Sequence, residues 1–147
     1  MKKTLLLTLF SLTLGLRPEA ASARSVSAFN GLASQPSEAS CWSHWGGAIT
    51  NVCASSRRWC MPLVVDTAGW FTVYVAAYGA SPSNNVGCFA TGLNRELTAA
   101  WNSSTNYLQA FGSSQQIVLS GSYVPDGGSL YACCDVSPGG KINNVRW

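Results

Sequence analysis

Trp70-Phe71-Thr72-Val73-Tyr74-Val75-Ala76-Ala77-Tyr78 is the stretch that decides how this chain folds. Aromatic and β-branched residues dominate it, and such side chains suit a pleated strand. Alternation sends Phe71, Val73, Val75 and Ala77 to one face and Trp70, Thr72, Tyr74, Ala76 and Tyr78 to the other. The first set reads as core. The second is an aromatic row broken by one threonine and one alanine.

Further strands are expected on either side of this one. Val26 and Ala28 alternate with serines before Asn30-Gly31, and Ser34 to Ser40 reads as a polar loop leading to Cys41. Ala48–Val52 and Trp59–Val65 are short strand candidates, with Pro62 pushing the latter toward an edge or a strand start. Val86–Leu93, Leu97–Asn102, Tyr107–Phe111, Ile117–Val124, Leu130–Val136 and Ile142–Trp147 complete the set. Asn94-Arg95-Glu96 turns one of these into the next as a hairpin, the rival reading being a single helical turn over Asn94–Trp101. Runs such as Ser81-Pro82-Ser83-Asn84-Asn85, Pro125-Asp126-Gly127-Gly128 and Pro138-Gly139-Gly140 punctuate the strands with turn chemistry. Short, regularly spaced strands of this kind predict an all-β domain, a single antiparallel β-sandwich that is Ig-like or jelly-roll-like.

The N-terminus reads as an export signal. Lys2 and Lys3 precede an apolar run from Thr4 to Leu16, and Ala21-Ser22-Ala23 offers the small-x-small pattern cut by signal peptidase. That run falls short of the about 20 residues needed to cross a bilayer. Residues 1–23 are therefore expected to be a signal peptide of bacterial type, and 24–147 a secreted or periplasmic domain with no membrane anchor after cleavage. The formal charge of +3 belongs largely to the leader, and residues 24–147 carry +1. A nucleic-acid partner needs a basic face, whereas only Arg57-Arg58 clusters, and that pair reads as a solvated turn.

All the cysteines, Cys41, Cys53, Cys60, Cys88, Cys133 and Cys134, fall after the leader, so they read as a disulfide framework stabilising the sandwich. Adjacent Cα atoms lie about 3.8 Å apart, below the disulfide range, so Cys133 and Cys134 are not expected to bond to each other. On a strand they point to opposite faces and need two different partners. Cys88 is expected to bond to one of them, since both regions read as strands.

Phe29-Asn30-Gly31, Gly47-Ala48-Ile49-Thr50-Asn51, Cys60-Met61-Pro62-Leu63, Asn85-Val86-Gly87-Cys88 and the terminal Val145-Arg146-Trp147 together resemble a loosely defined group of small secreted bacterial proteins. The group is cysteine-containing and has no assigned activity. Its usual Cys-Pro-Leu step is interrupted here by Met61. The resemblance implies an exported β-sandwich and brings no catalytic residue with it.

Tests for chemistry point the same way. His44, the one histidine, stands in a Cys-x-x-His spacing with Cys41, but no second ligand pair completes a zinc site. The carboxylates Glu38, Asp66, Glu96, Asp126 and Asp135 show no spacing that forces two of them together, and there is no Gly-x-Ser-x-Gly elbow. No catalytic residue, metal site or cofactor is assigned. Trp70, Tyr74 and Tyr78 are the candidate ligand-binding residues, with Trp45 and Trp59 flanking them, because flat aromatic rows suit the apolar faces of sugar rings. Asn84, Asn85, Asn102 and Asn106 are candidate amide donors to hydroxyls. The competing reading buries the row beneath the Cys41–Cys60 segment. The expected partner is an extracellular glycan, or else a surface protein met by a structural or inhibitory module.

Overall fold

The computed structural model describes residues 24–147; the expected leader, 1–23, lies outside them. Twelve strands form two antiparallel sheets facing each other. The first sheet runs β10 (Gln115–Val124), β6 (Gly69–Tyr78), β12 (Lys141–Arg146), β4 (Ala48–Asn51) and β3 (Trp42–Trp45), with β1 (Ser25–Ser27) also pairing β12. The second runs β2 (Leu32–Ala33), β5 (Arg57–Leu63), β11 (Ser129–Val136), β7 (Val86–Leu93) and β8 (Ala100–Asn102), with β9 (Asn106–Tyr107) also on β7. From β9 onward the chain changes sheet at every strand, so neighbours in space are distant in sequence. The sandwich is jelly-roll-like in this sense.

Alternation builds the core. Val73, Val75 and Ala77 of β6, Ile117 and Leu119 of β10, and Ile142 and Val145 of β12 face inward from the first sheet. Trp59, Met61 and Leu63 of β5, Leu130, Ala132, Cys134 and Val136 of β11, and Val86, Cys88 and Ala90 of β7 meet them from the second. Pro62 points away from this core, beyond the end of the two-residue β2, where the outer edge of β5 has no partner to miss an N–H. The Asn94 turn is the hairpin and not the helical one. Its side-chain oxygen accepts from the Thr98 and Ala99 amides at 2.9 and 2.8 Å, and Leu97 takes a φ of 57°.

The disulfides are Cys41–Cys53, Cys60–Cys133 and Cys88–Cys134. Cys133 lies opposite Cys60 on β5, and Cys134 lies opposite Cys88 on β7. Their Cα separations of 4.1 and 4.0 Å are those of non-hydrogen-bonded antiparallel pairs. Consecutive residues of a central strand direct their amides to opposite neighbours as well as their side chains to opposite faces. The Cys-Cys step therefore fastens β11 to both flanking strands, once on the outer face and once in the core.

Arg57 and Arg58 open β5 and do not form a free basic patch. Arg57 reaches Glu38 at 3.5 Å, and Arg58 makes two bonds of 2.8 Å to Asp135. Those bonds, opposed by partial burial and aided by the carboxylate charge, raise the Arg58 pKa above its ordinary value.

Candidate functional site

The aromatic row of β6 lies on the outer face of the first sheet, and nothing among the described residues buries it. Trp70 is 70% exposed, while Tyr74 and Tyr78 are half-buried between their neighbours. The Cys41–Cys60 segment does not fold over the row. Its β3–β4 hairpin extends the same sheet sideways, and its last residues enter the opposite sheet as β5.

This divergence separates the tryptophans of that segment. Trp45, at the end of edge strand β3, is 86% exposed. Trp59 does not flank the site. It is 4% exposed, packs 4.9 Å from Trp42, and donates its indole N–H to the Ala28 carbonyl at 2.9 Å. Sheet assignment explains the outcome, because β5 turns its odd-numbered side chains into the core. Gly31 lies against this indole, where a Cβ would overlap Trp59 Nε1 and sit 2.7 Å from the Cys60 carbonyl.

Strand β12 supplies what the sequence reading missed. Lys141 lies opposite Tyr78 and Arg146 opposite Tyr74. The Arg146 guanidinium is 4.6 Å from the Tyr74 ring centroid and the Lys141 ammonium 5.5 Å from that of Tyr78, both in cation–π range. The Gln116 amide, oriented to satisfy both groups, accepts from Arg146 Nε and Nη2 at 3.3 Å. Between the two tyrosines the small Ala76 leaves a depression of about 450 Å3, bordered by Asn143, Asn144 and the Gly46-Gly47 turn. A second hollow of about 370 Å3 lies between Lys141 and Trp45, lined by Ser43, Thr50 and Asn143.

The far end of the row is aromatic as well. Tyr123 on β10 lies opposite Trp70 with ring centroids 5.2 Å apart, and Trp101 on β8 meets Tyr123 at 5.5 Å. Tyr123 reaches this face because the ladder shifts register between Ser120 and Ser122, around Gly121 at a φ of 91°. Leu119 and Val124 both point inward, and that change of parity needs one extra residue between them. The only sequence signal was the glycine inside a strand.

The four asparagines proposed as amide donors lie elsewhere. Asn84 and Asn85 make local turn bonds, Asn84 also donating to the Pro138 carbonyl at 2.7 Å, and Asn106 donates to the Val118 carbonyl at 2.6 Å. Asn102 pairs with Thr91 in the β7–β8 ladder of the second sheet. Cys41 is bonded to Cys53, which leaves no thiolate for the Cys-x-x-His spacing, and the His44 ring packs 5.0 Å from Phe29 and 5.6 Å from Trp59. Among the described residues no His, Cys, Asp or Glu cluster has the makings of a metal site.

No family model and no curated protein matches the sequence. Solved structures do. The chain is similar to a Podospora anserina GH26-CBM35 β-(1,4)-mannanase, with a TM-score of 0.57 at 9% identity over 84% of this chain and 27% of that one. It is also similar to the CBM22-1–GH10 modules of a Clostridium thermocellum endo-1,4-β-D-xylanase complexed with xylohexaose, at TM-score 0.48 and 9% identity over 85% and 26%. A third is TmCBM61 in complex with β-1,4-galactotriose, at TM-score 0.42 and 12% identity over 84% of each chain. The chain spans about a quarter of the length of the first two. The likeness to the mannanase structure is one of fold.

Proposed function

We propose that this protein is a non-catalytic extracellular module that binds a polysaccharide along the outer face of its first sheet. The observation that carries this reading is the row Trp70–Tyr74–Tyr78 on the outer sheet face, with Trp70 70% exposed and the two tyrosines half-buried, continued by Trp45 at 86% exposure. Eight strand steps separate Trp70 from Tyr78, about 27 Å. That length suits an extended chain more than a single sugar. Exposed tryptophans on a rigid sheet lose little side-chain freedom when a ring stacks on them, and their removal would cost the fold little. The fold shared with a structure that includes a CBM35 module is consistent with the reading. Three disulfides suit an oxidising, extracytoplasmic compartment.

The test is depletion of the oxidised protein by insoluble polysaccharides and peptidoglycan, with tryptophan emission followed in parallel. Retention on one polymer that is lost in Trp70→Ala, with thermal unfolding unchanged, establishes the site. Retention that survives Trp70→Ala, Tyr74→Ala and Trp45→Ala alike would remove the sheet face from consideration.

A further inference from the structure

We infer that the polysaccharide is acidic, its repeating sugars carrying carboxylates, and that Arg146 and Lys141 are the groups that receive them. The inference rests on the glycan-binding reading above and narrows it to a chemical class.

Charge placement carries the argument. The described residues contain six Arg and Lys side chains, and four of them are neutralised by a carboxylate. Arg24 pairs with Asp66, Arg57 with Glu38 at 3.5 Å, Arg58 with Asp135 at 2.8 Å and Arg95 with Glu96 at 2.9 Å. The two left without a carboxylate are Lys141 and Arg146, and both stand on the aromatic face. The acids lie elsewhere: Glu38 in the turn before β3, Asp66 between β5 and β6, Glu96 between β7 and β8, Asp126 between β10 and β11, and Asp135 on the second sheet. Among the described residues every other cation is paired, and these two stand open on one surface.

Their setting is that of receptors. Arg146 is held from one side by the Tyr74 ring and from another by the Gln116 amide, so its guanidinium is positioned before any ligand arrives. A planar guanidinium matches a carboxylate fork. Lys141 sits between Tyr78 and the hollow beside Trp45, where a compact ammonium can meet a second carboxylate. The register separates the two cations by four strand steps, about 14 Å. An uncharged polymer would stack on the same rings and leave both cations to water. A nucleic acid also stacks and carries charge, but its dense phosphates call for more than two cations along a face of this length.

The experiment is affinity electrophoresis of the oxidised protein through gels containing polygalacturonate, alginate or hyaluronan. Methyl-esterified polygalacturonate, neutral mannan and xylan, dextran sulfate and single-stranded DNA fill parallel gels. The expected result is retardation by at least one uronate polymer, weakened by added salt and about tenfold weaker in Arg146→Gln or Lys141→Gln. Arg95→Gln should bind as the unchanged protein does, and Arg146→Lys should retain more binding than Arg146→Gln. Esterification should abolish retardation by polygalacturonate. Equal binding of neutral or esterified polymers would overturn the acidic-glycan inference and leave the glycan-binding reading standing. Equal binding of dextran sulfate or DNA would replace it with unselective polyanion adsorption. No retardation by any polysaccharide would overturn both.

Discussion

The Arg146 guanidinium lies 4.6 Å from the centroid of the Tyr74 ring, on the strand that pairs with β6 through one shift of register between Ile142 and Asn144. The contact is on the surface, where a cation–π pair is worth about 0.5–1 kcal/mol. Arg146→Gln should therefore lower the free energy of urea unfolding by no more than that, with an unchanged m-value. A loss of several kcal/mol would mean that Arg146 holds the sheet together, and its unpaired charge would then need no ligand to explain it.

The tryptophans divide sharply by burial. Trp59→Ala removes a core side chain and one of the two donors to the Ala28 carbonyl, and should cost about 3–5 kcal/mol. Trp45→Ala should change stability by less than about 0.5 kcal/mol, because the side chain is 86% exposed. Acrylamide quenching checks the same division: Trp45→Phe and Trp70→Phe each remove a strongly quenched emission component, whereas Trp59→Phe removes a protected one.

Peptide mapping without reduction should recover the three links Cys41–Cys53, Cys60–Cys133 and Cys88–Cys134. Replacing both Cys88 and Cys134 by alanine should lower stability by about 2–5 kcal/mol. Recovery of Cys88 bound to Cys133 would require the two faces of β11 to be exchanged.

Gly121 and Gly92 together aim Tyr123. Gly121 supplies the extra residue of the bulge, and a Cβ at Gly92 would overlap the Tyr123 carbonyl where β7 passes beneath β10. Gly121→Ala should cost about 1 kcal/mol through its positive φ. Gly92→Ala should cost on the order of 1–3 kcal/mol by forcing the sheets apart. Only the second substitution should weaken the near-UV circular dichroism of the Trp70–Tyr123–Trp101 cluster, since only it displaces the Tyr123 backbone.

What could be read from the sequence follows from the range of the interactions involved. β6, β7, β10, β11 and β12 announce themselves as strand-forming runs bounded by turn residues, a property of neighbours in the chain. The short Cα spacing of chain neighbours kept Cys133 from Cys134, and the strand-like character of both runs linked Cys88 to that pair. β3 was hidden, because Trp42-Ser43-His44-Trp45 buries only its first residue and looks like loop. Trp59 was misassigned as a flanking contact because its local sequence does not say which sheet receives β5. Lys141 and Arg146 were overlooked for a related reason. Their meaning depends on β12 lying beside β6, a pairing across more than sixty residues of chain that no local pattern encodes.

The disulfides also govern how the domain would bear load. Bonds at Cys60–Cys133 and Cys41–Cys53 short-circuit the path between the ends, so tension can draw out only roughly a third of residues 24–147 while the sulfurs stay joined. β6 lies inside the closed ring with Trp70, Tyr74 and Tyr78, whereas β12 hangs outside it at the C-terminal end. A pull on that end would peel Lys141 and Arg146 away first and leave the aromatic strand shielded from the force, so that grip on a charged polymer would fail before grip by stacking.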